Sequence, residues 1–139
     1  MNNMLYVTRR EVFSASHRLH NPDLSQKENE ELFDKCNNYY GHGHNYVLEV
    51  IVAGKPNPQT GYVIDLKVLR DIIREHVIKK LDHKHLNYDV DFMKGINPTA
   101  ENIAIAIWDQ LEDKISEGKL YSVKLYETEN NYVEFKGEN

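Results

Sequence analysis

The chain has 139 residues, enough for one small core and a single domain over 1–139, since domains centre near roughly 100–150 residues. Hydrophobic residues make up 40% and charged residues 28%, with a formal net charge of −5 and no clustered basic stretch, which excludes a disordered chain and a nucleic-acid partner. No apolar run approaches the roughly 20 residues that cross a bilayer, the N-terminal stretch lacks a signal-peptide pattern, and the single Cys36 forms no internal disulfide, so the expectation is a cytoplasmic protein without a membrane partner.

Residues 5–16 alternate as a strand, with Leu5, Val7, Phe13 and Ala15 on one parity and His17 continuing it at the end. Residues 20–40 are polar and break any period, with a short helix expected from Glu28 to Phe33; long connections of this kind often carry function. A second strand runs over 42–53, with Tyr46, Leu48, Val50 and Val52 on the parity of His42 and His44. Asp65 caps a helix whose apolar stripe is Leu66, Leu69, Ile72, Ile73, Val77 and Leu81. Residues 82–97 read as a loop. Asn97, Pro98 and Thr99 start a second helix, with Pro98 in its first turn and Ile103, Ile107, Trp108, Leu111 and Ile115 in its stripe. Strands follow at 120–127 and 132–136, joined by a turn in which Asn130 and Asn131 tolerate positive φ. The order ββααββ predicts an α+β domain, a four-stranded antiparallel sheet with two helices on one face.

Three groups of residues carry chemistry. His42-Gly43-His44 puts two imidazoles on one side of a strand, and His17 ends the neighbouring strand with matching parity. Three histidines are the usual protein complement of a catalytic zinc, whose fourth position stays open, whereas a structural zinc closes its shell with four protein ligands; Cys36 is available as such a fourth. Cys36 itself reads either as a small buried residue or as a thiolate base beside a metal. Asp82 and His83 are either a solvated helix end or a carboxylate–imidazole pair that moves protons. Glu127 has core parity at a strand end, so it meets either a cation or a ligand edge with two parallel N–H donors, such as the 2-amino group and ring N–H of a pterin. Glu101 lies in a first helical turn, where it favours the helix dipole or touches a ligand.

The strings FSASHRL (13–19), CNNYYGHGHNY (36–46), LDHKHLN (81–87), PTAENIAIAIWDQL (98–111) and LYETENN (125–131) resemble the 6-pyruvoyltetrahydropterin synthase family across nearly the whole chain. The resemblance implies a tunnelling-fold subunit whose trimers join their sheets into a barrel and stack into a homohexamer, with active sites between subunits. It implies Zn2+ on His17, His42 and His44, Cys36 as catalytic base assisted by Asp82 and His83, and Glu127 anchoring the pterin ring with Thr99 and Glu101 nearby. The implied reaction converts 7,8-dihydroneopterin triphosphate to 6-pyruvoyltetrahydropterin with loss of triphosphate, a lyase step of tetrahydrobiopterin biosynthesis. The sibling activity is that of the 6-carboxy-5,6,7,8-tetrahydropterin synthases of queuosine biosynthesis. Five residues separate Cys36 from His42, as in the pyruvoyl-forming branch, while the carboxy branch often has a shorter gap. His85 departs from the residue many relatives carry, and so puts only details in doubt.

Overall fold

The computed structural model describes residues 3–138. Strand β1 (Leu5–His17) pairs antiparallel with β2 (His42–Gly54) along its full length, from Leu5 opposite Gly54 to His17 opposite His42. The polar connection between them holds helix α1 (Gln26–Phe33) and a 3-10 turn (Asp34–Asn37). Ser25 caps α1 reciprocally with Glu28, which satisfies two otherwise orphaned backbone donors.

Helix α2 (Leu66–Ile73) starts on Asp65, whose carboxylate accepts from the Lys67 amide. It passes through a π turn (Arg74–Ile78) into a last helical turn, α3 (Lys79–Leu81). Leu69, Ile73, Val77 and Leu81 are all fully buried. Positions four apart drift by about 40° per step around an ideal α-helix. A π turn advances less per residue and takes up part of that drift, keeping all four against the sheet. Leu66, read as part of the stripe, is instead exposed at the helix start.

The sheet differs from the sequence expectation. It is mixed and five-stranded, in the order β3-β1-β2-β4-β5. The additional strand, β3 (Lys84–His85), lies in the stretch expected to be loop and pairs parallel with Ala15 and Ser16. Two residues carry no legible period; the backbone bonds His83 N–H to Ser14 O (2.6 Å) and Leu86 N–H to Ser16 O (2.8 Å) place them. Helix α4 (Ala100–Leu111) begins after Thr99, whose hydroxyl accepts from the Asn102 amide, so Pro98 precedes the cap rather than occupying the first turn.

Strands β4 (Lys119–Thr128) and β5 (Asn131–Phe135) form the hairpin. Neither Asn130 nor Asn131 has positive φ; among the described non-glycine residues only Asp34 and His83 do. The Thr128 hydroxyl instead accepts from the Asn130 amide, and a register shift between Tyr126 and Thr128 absorbs the twist.

Helices α2 and α4 cover one face, where Phe13, Tyr46, Leu48, Val50, Val123 and Leu125 meet Leu69, Ile73, Ile103, Ile107 and Leu111. No described helix covers the other face, where Val12 is 62% exposed and Tyr6 56%. Apolar side chains in the middle of a sheet face are costly to leave in water.

Candidate metal and ligand site

Parity carries three imidazoles to the same end of the helix-covered face. His17 ends β1, and His42 and His44 begin β2, with His17 opposite His42 in register. Gly41, at φ 79°, is required in the turn into β2, because a Cβ there would stand 2.6 Å from the His17 carbonyl oxygen. Gly43, read as the residue that makes room between the histidines, has only ordinary contact at its Cβ position.

His17 is 1% exposed, and its Nδ1 lies 2.7 Å from the Pro98 carbonyl oxygen. A carbonyl only accepts, so Nδ1 carries the proton and Nε2 presents a lone pair. The Tyr46 hydroxyl stands 3.4 Å from the same Nδ1. His17 Nε2 lies 3.3 Å from His42 Nε2. His44 Nε2 is buried without a hydrogen-bond partner. One nitrogen from each ring falls within 4.8 Å of the others.

The His17–His42 separation matches one edge of a tetrahedral metal site, and the whole trio stays within 4.8 Å. Zinc–nitrogen bonds of about 2.0–2.1 Å give a tetrahedral edge of about 3.3 Å. The His17 ring is held through its other nitrogen by a carbonyl, the usual support of a metal-bound imidazole. Burial lowers the pKa of His17 most, against the opposing Pro98 bond and Glu127 charge; burial and then the His44 charge lower that of His42. Both rings are therefore neutral at neutral pH, the form that binds metal.

Glu127 stands beside this trio, its Oε1 3.8 Å from His44 Nε2. It lies at the register shift of β4, with no strand partner of its own. Irregularities of this kind re-aim side chains. Glu127, Thr99 and Glu101 line one cleft of about 380 Å³, together with Leu19, Asn131 and Tyr132. The three residues read as ligand contacts from the sequence thus share one cavity, part of it built from the start of α4.

Cys36 is a half-buried free thiol in the 3-10 turn. Its pKa is raised above the usual 9.0, by burial first and then by the negative charges of Glu127 and Asp34. It is near enough to Glu127 to feel that charge, but among the described residues no cation offsets it.

Asp82 and His83 lie elsewhere. They precede β3 on the outer side of β1, with β1 and β2 between them and the strand of Glu127. Asp82 Oδ1 accepts from the Ser14 amide at 2.9 Å, and Oδ2 is 3.0 Å from His83 Nδ1. The Ser14 bond, and secondarily His83, hold the Asp82 carboxyl below the ordinary aspartate range. His83 adopts φ 62°, a left-handed conformation that His tolerates better than most residues, and its side chain is 83% exposed. No hydrogen bond or ion pair among the described residues joins this pair to Cys36, Glu127 or the histidine trio. His85, without an assigned role in the sequence, packs its ring on Tyr88 at 4.6 Å.

Sequence reasoning passed over Pro98, Tyr46 and Asn37 as parts of the site. A backbone carbonyl has no sequence signal, and Tyr46 reads as core by parity. Asn37 is only 3% exposed, and polar composition conceals its burial.

Comparison with known proteins agrees with this geometry. Residues 6–138 match the family model described as 6-pyruvoyl tetrahydropterin synthase. The chain is 49% identical over 132 residues to a human protein named 6-pyruvoyl tetrahydrobiopterin synthase, covering 95% of this chain and 91% of that one. The solved structure of Caenorhabditis elegans 6-pyruvoyl tetrahydropterin synthase superposes with a TM-score of 0.93 at 40% identity, covering 99% of this chain and 98% of the other. A Rickettsia bellii protein named 6-carboxy-5,6,7,8-tetrahydropterin synthase is more distant, 31% identical over 150 residues, covering 94% of this chain and 99% of that one.

Proposed function

The chain belongs to the 6-pyruvoyl tetrahydropterin synthase family, and from that premise we propose that it converts 7,8-dihydroneopterin triphosphate to 6-pyruvoyltetrahydropterin with release of triphosphate, a carbon–oxygen lyase step of tetrahydrobiopterin biosynthesis. The observation that carries the reading is the juxtaposition of three convergent imidazoles with the Glu127 cleft. The higher identity to the human pyruvoyl-named protein than to the carboxy-named one supports the choice of product.

His17, His42 and His44 hold the metal, assigned as zinc from the all-imidazole donor set and the 3.3 Å edge. Bound there, zinc supplies Lewis-acid polarisation of the substrate's side-chain oxygens. Glu127 accepts two parallel N–H bonds from the pterin edge and fixes the ring, with Thr99 and Glu101 bounding the cleft. Cys36 removes the side-chain proton. Its raised pKa in the isolated chain means that ionisation needs positive charge from the loaded site and from a neighbouring His. Asp82 orients His83 for proton relay. The electron pair left by the departing proton expels triphosphate, and tautomerisation carries the reducing equivalents into the ring, so no external redox partner is consumed.

Asp82 and His83 reach Cys36 only from another copy of the chain. Along most of β1 no strand among the described residues covers the outer edge, and β5 ends the sheet on the other side. Edges like these are usually paired or covered. A homohexamer built as a dimer of trimers, with sheets joined at these edges, covers them and brings the two halves of the machinery together. The cytoplasm suits a chain with one unpaired cysteine and, among its described residues, no helix long and apolar enough to cross a membrane.

The test is mass spectrometry of products formed by zinc-loaded protein from 7,8-dihydroneopterin triphosphate. A 6-pyruvoyl product with free triphosphate is expected. A 6-carboxy product moves the chain to the sibling activity, and absence of turnover overturns the enzymatic reading.

A further inference from the structure

A chain of net charge −5 that takes a triphosphate must gather cations locally. Arg9, Arg70 and Arg74 each pair with a carboxylate. Arg18 does not. Its backbone is clamped on both sides by Asn87, which accepts from the Arg18 amide and donates to its carbonyl, each at 2.8 Å. Its Nε donates to the Asn37 carbonyl at 3.0 Å, and the guanidinium lies over the Tyr39 ring at 5.4 Å. Among the described residues, nothing engages its two Nη groups. A rigid guanidinium with a free fork matches the geometry of phosphate oxygens.

His20 is oriented by the same asparagine. Asn37 Nδ2 donates to His20 Nδ1 at 3.0 Å and to the Leu19 carbonyl at 2.7 Å, while Asn37 Oδ1 accepts from Gln26. An amide NH2 only donates, so His20 Nδ1 is the acceptor and Nε2 carries the proton. Arg18 and His20 both line a cleft of about 500 Å³, with Asn87, Tyr88, Asn97 and the exposed Asp23. This cleft and the Glu127 cleft flank the same two segments: Leu19 and Thr99 line one, Arg18, His20 and Asn97 the other.

We infer that Arg18 and His20, held in place by Asn37, form a phosphate-binding subsite that receives the polyphosphate chain of the substrate. Asn37 is the residue after the proposed base, so the anion would lie beside the segment that carries Cys36. Asp23 faces the subsite with the wrong sign and weakens it. The inference rests on the proposed pterin triphosphate substrate, but its binding chemistry is tested without that substrate.

Zinc-loaded protein is titrated calorimetrically with inorganic triphosphate presented as its magnesium complex, which spares the protein's own metal; bound zinc is counted afterwards. Arg18→Gln should weaken binding by about tenfold or more, the worth of charge-assisted bonds. Arg18→Lys should recover part of the loss, which a folding defect would not allow. His20→Phe should weaken binding a few-fold, and Asp23→Asn should tighten it. In turnover, Arg18→Gln should raise KM for the triphosphate substrate and leave the affinity for dephosphorylated 7,8-dihydroneopterin unchanged. Equal triphosphate affinity in Arg18→Gln and unaltered protein overturns the subsite, as does a parallel loss of affinity for the dephosphorylated pterin. If triphosphate binds through Arg18 but no pterin triphosphate is turned over, the subsite stands and the proposed reaction falls.

Discussion

The histidine trio and the Asp82–His83 pair are both carried on β1 and its neighbours, yet they differ in completeness. The trio is finished within one chain: its rings converge, burial keeps His17 and His42 neutral, and a carbonyl and a tyrosine hold the innermost ring. The Asp82–His83 pair is anchored at its backbone by Ser14 but presents an 83% exposed imidazole that contacts nothing it is proposed to serve. Metal binding needs several donors at a fixed separation, which one hairpin supplies by register. Proton relay to a thiol on another segment needs a second surface, which this chain alone does not offer.

The sharpest way to break the contrast is to attack the finished half. His42→Ala removes one of three ligands, so bound zinc should fall to near zero and turnover by more than about a hundredfold, measured by metal analysis and steady-state rates. Full zinc retention would take His42 out of the site.

Cys36→Ala and Asp82→Asn should each keep their zinc and lose about 10²–10⁴-fold in rate, the scale of general acid–base catalysis. The Asn substitution keeps an acceptor for the Ser14 amide, so the local fold survives. If the halves come from different copies, assemblies reconstituted from equal amounts of the two inactive variants should regain about a quarter of wild-type activity. Half of the thiol positions and half of the partner carboxylates are then intact at random. No recovery on mixing would place both halves in one chain.

Tyr46→Phe tests the support of His17. Losing the hydroxyl 3.4 Å from Nδ1 should weaken zinc affinity by about tenfold, read by competition with a chromogenic chelator. Unchanged affinity would leave Pro98 as the sole support.

The smallest effect is on pH. Burial holds His17 below the usual 6.5, so as pH falls past 6.5 the unfolded chain takes up a proton that the folded site refuses. The contribution of this group to stability is intact above 6.5 and declines below it. Thermal melts of metal-free protein from pH 8 to 5 should show midpoints falling on the acid side; a flat profile would contradict the buried, neutral ring.

The alternation of β1 and β2 by itself put His17, His42 and His44 on the core face, because side-chain direction in a strand follows parity alone. The cap at Asp65 was equally legible, since it acts through a local hydrogen bond, whereas the second helix begins later than its Asn97-Pro98-Thr99 signal suggested, with Thr99 as the cap. Glu127 could be assigned to the inner face, but its aim comes from a register shift that depends on β5. Strand β3 is defined by backbone bonds to Ser14 and Ser16, more than sixty positions earlier in the chain, and leaves no local pattern. The same holds for the Pro98 carbonyl that selects the tautomer of His17, for Asn37 buried between Arg18 and His20, and for the separation of Asp82 from Cys36. Local propensity and period are written in neighbouring residues, whereas these contacts join segments far apart in sequence, and only the packed tertiary structure decides which of them meet.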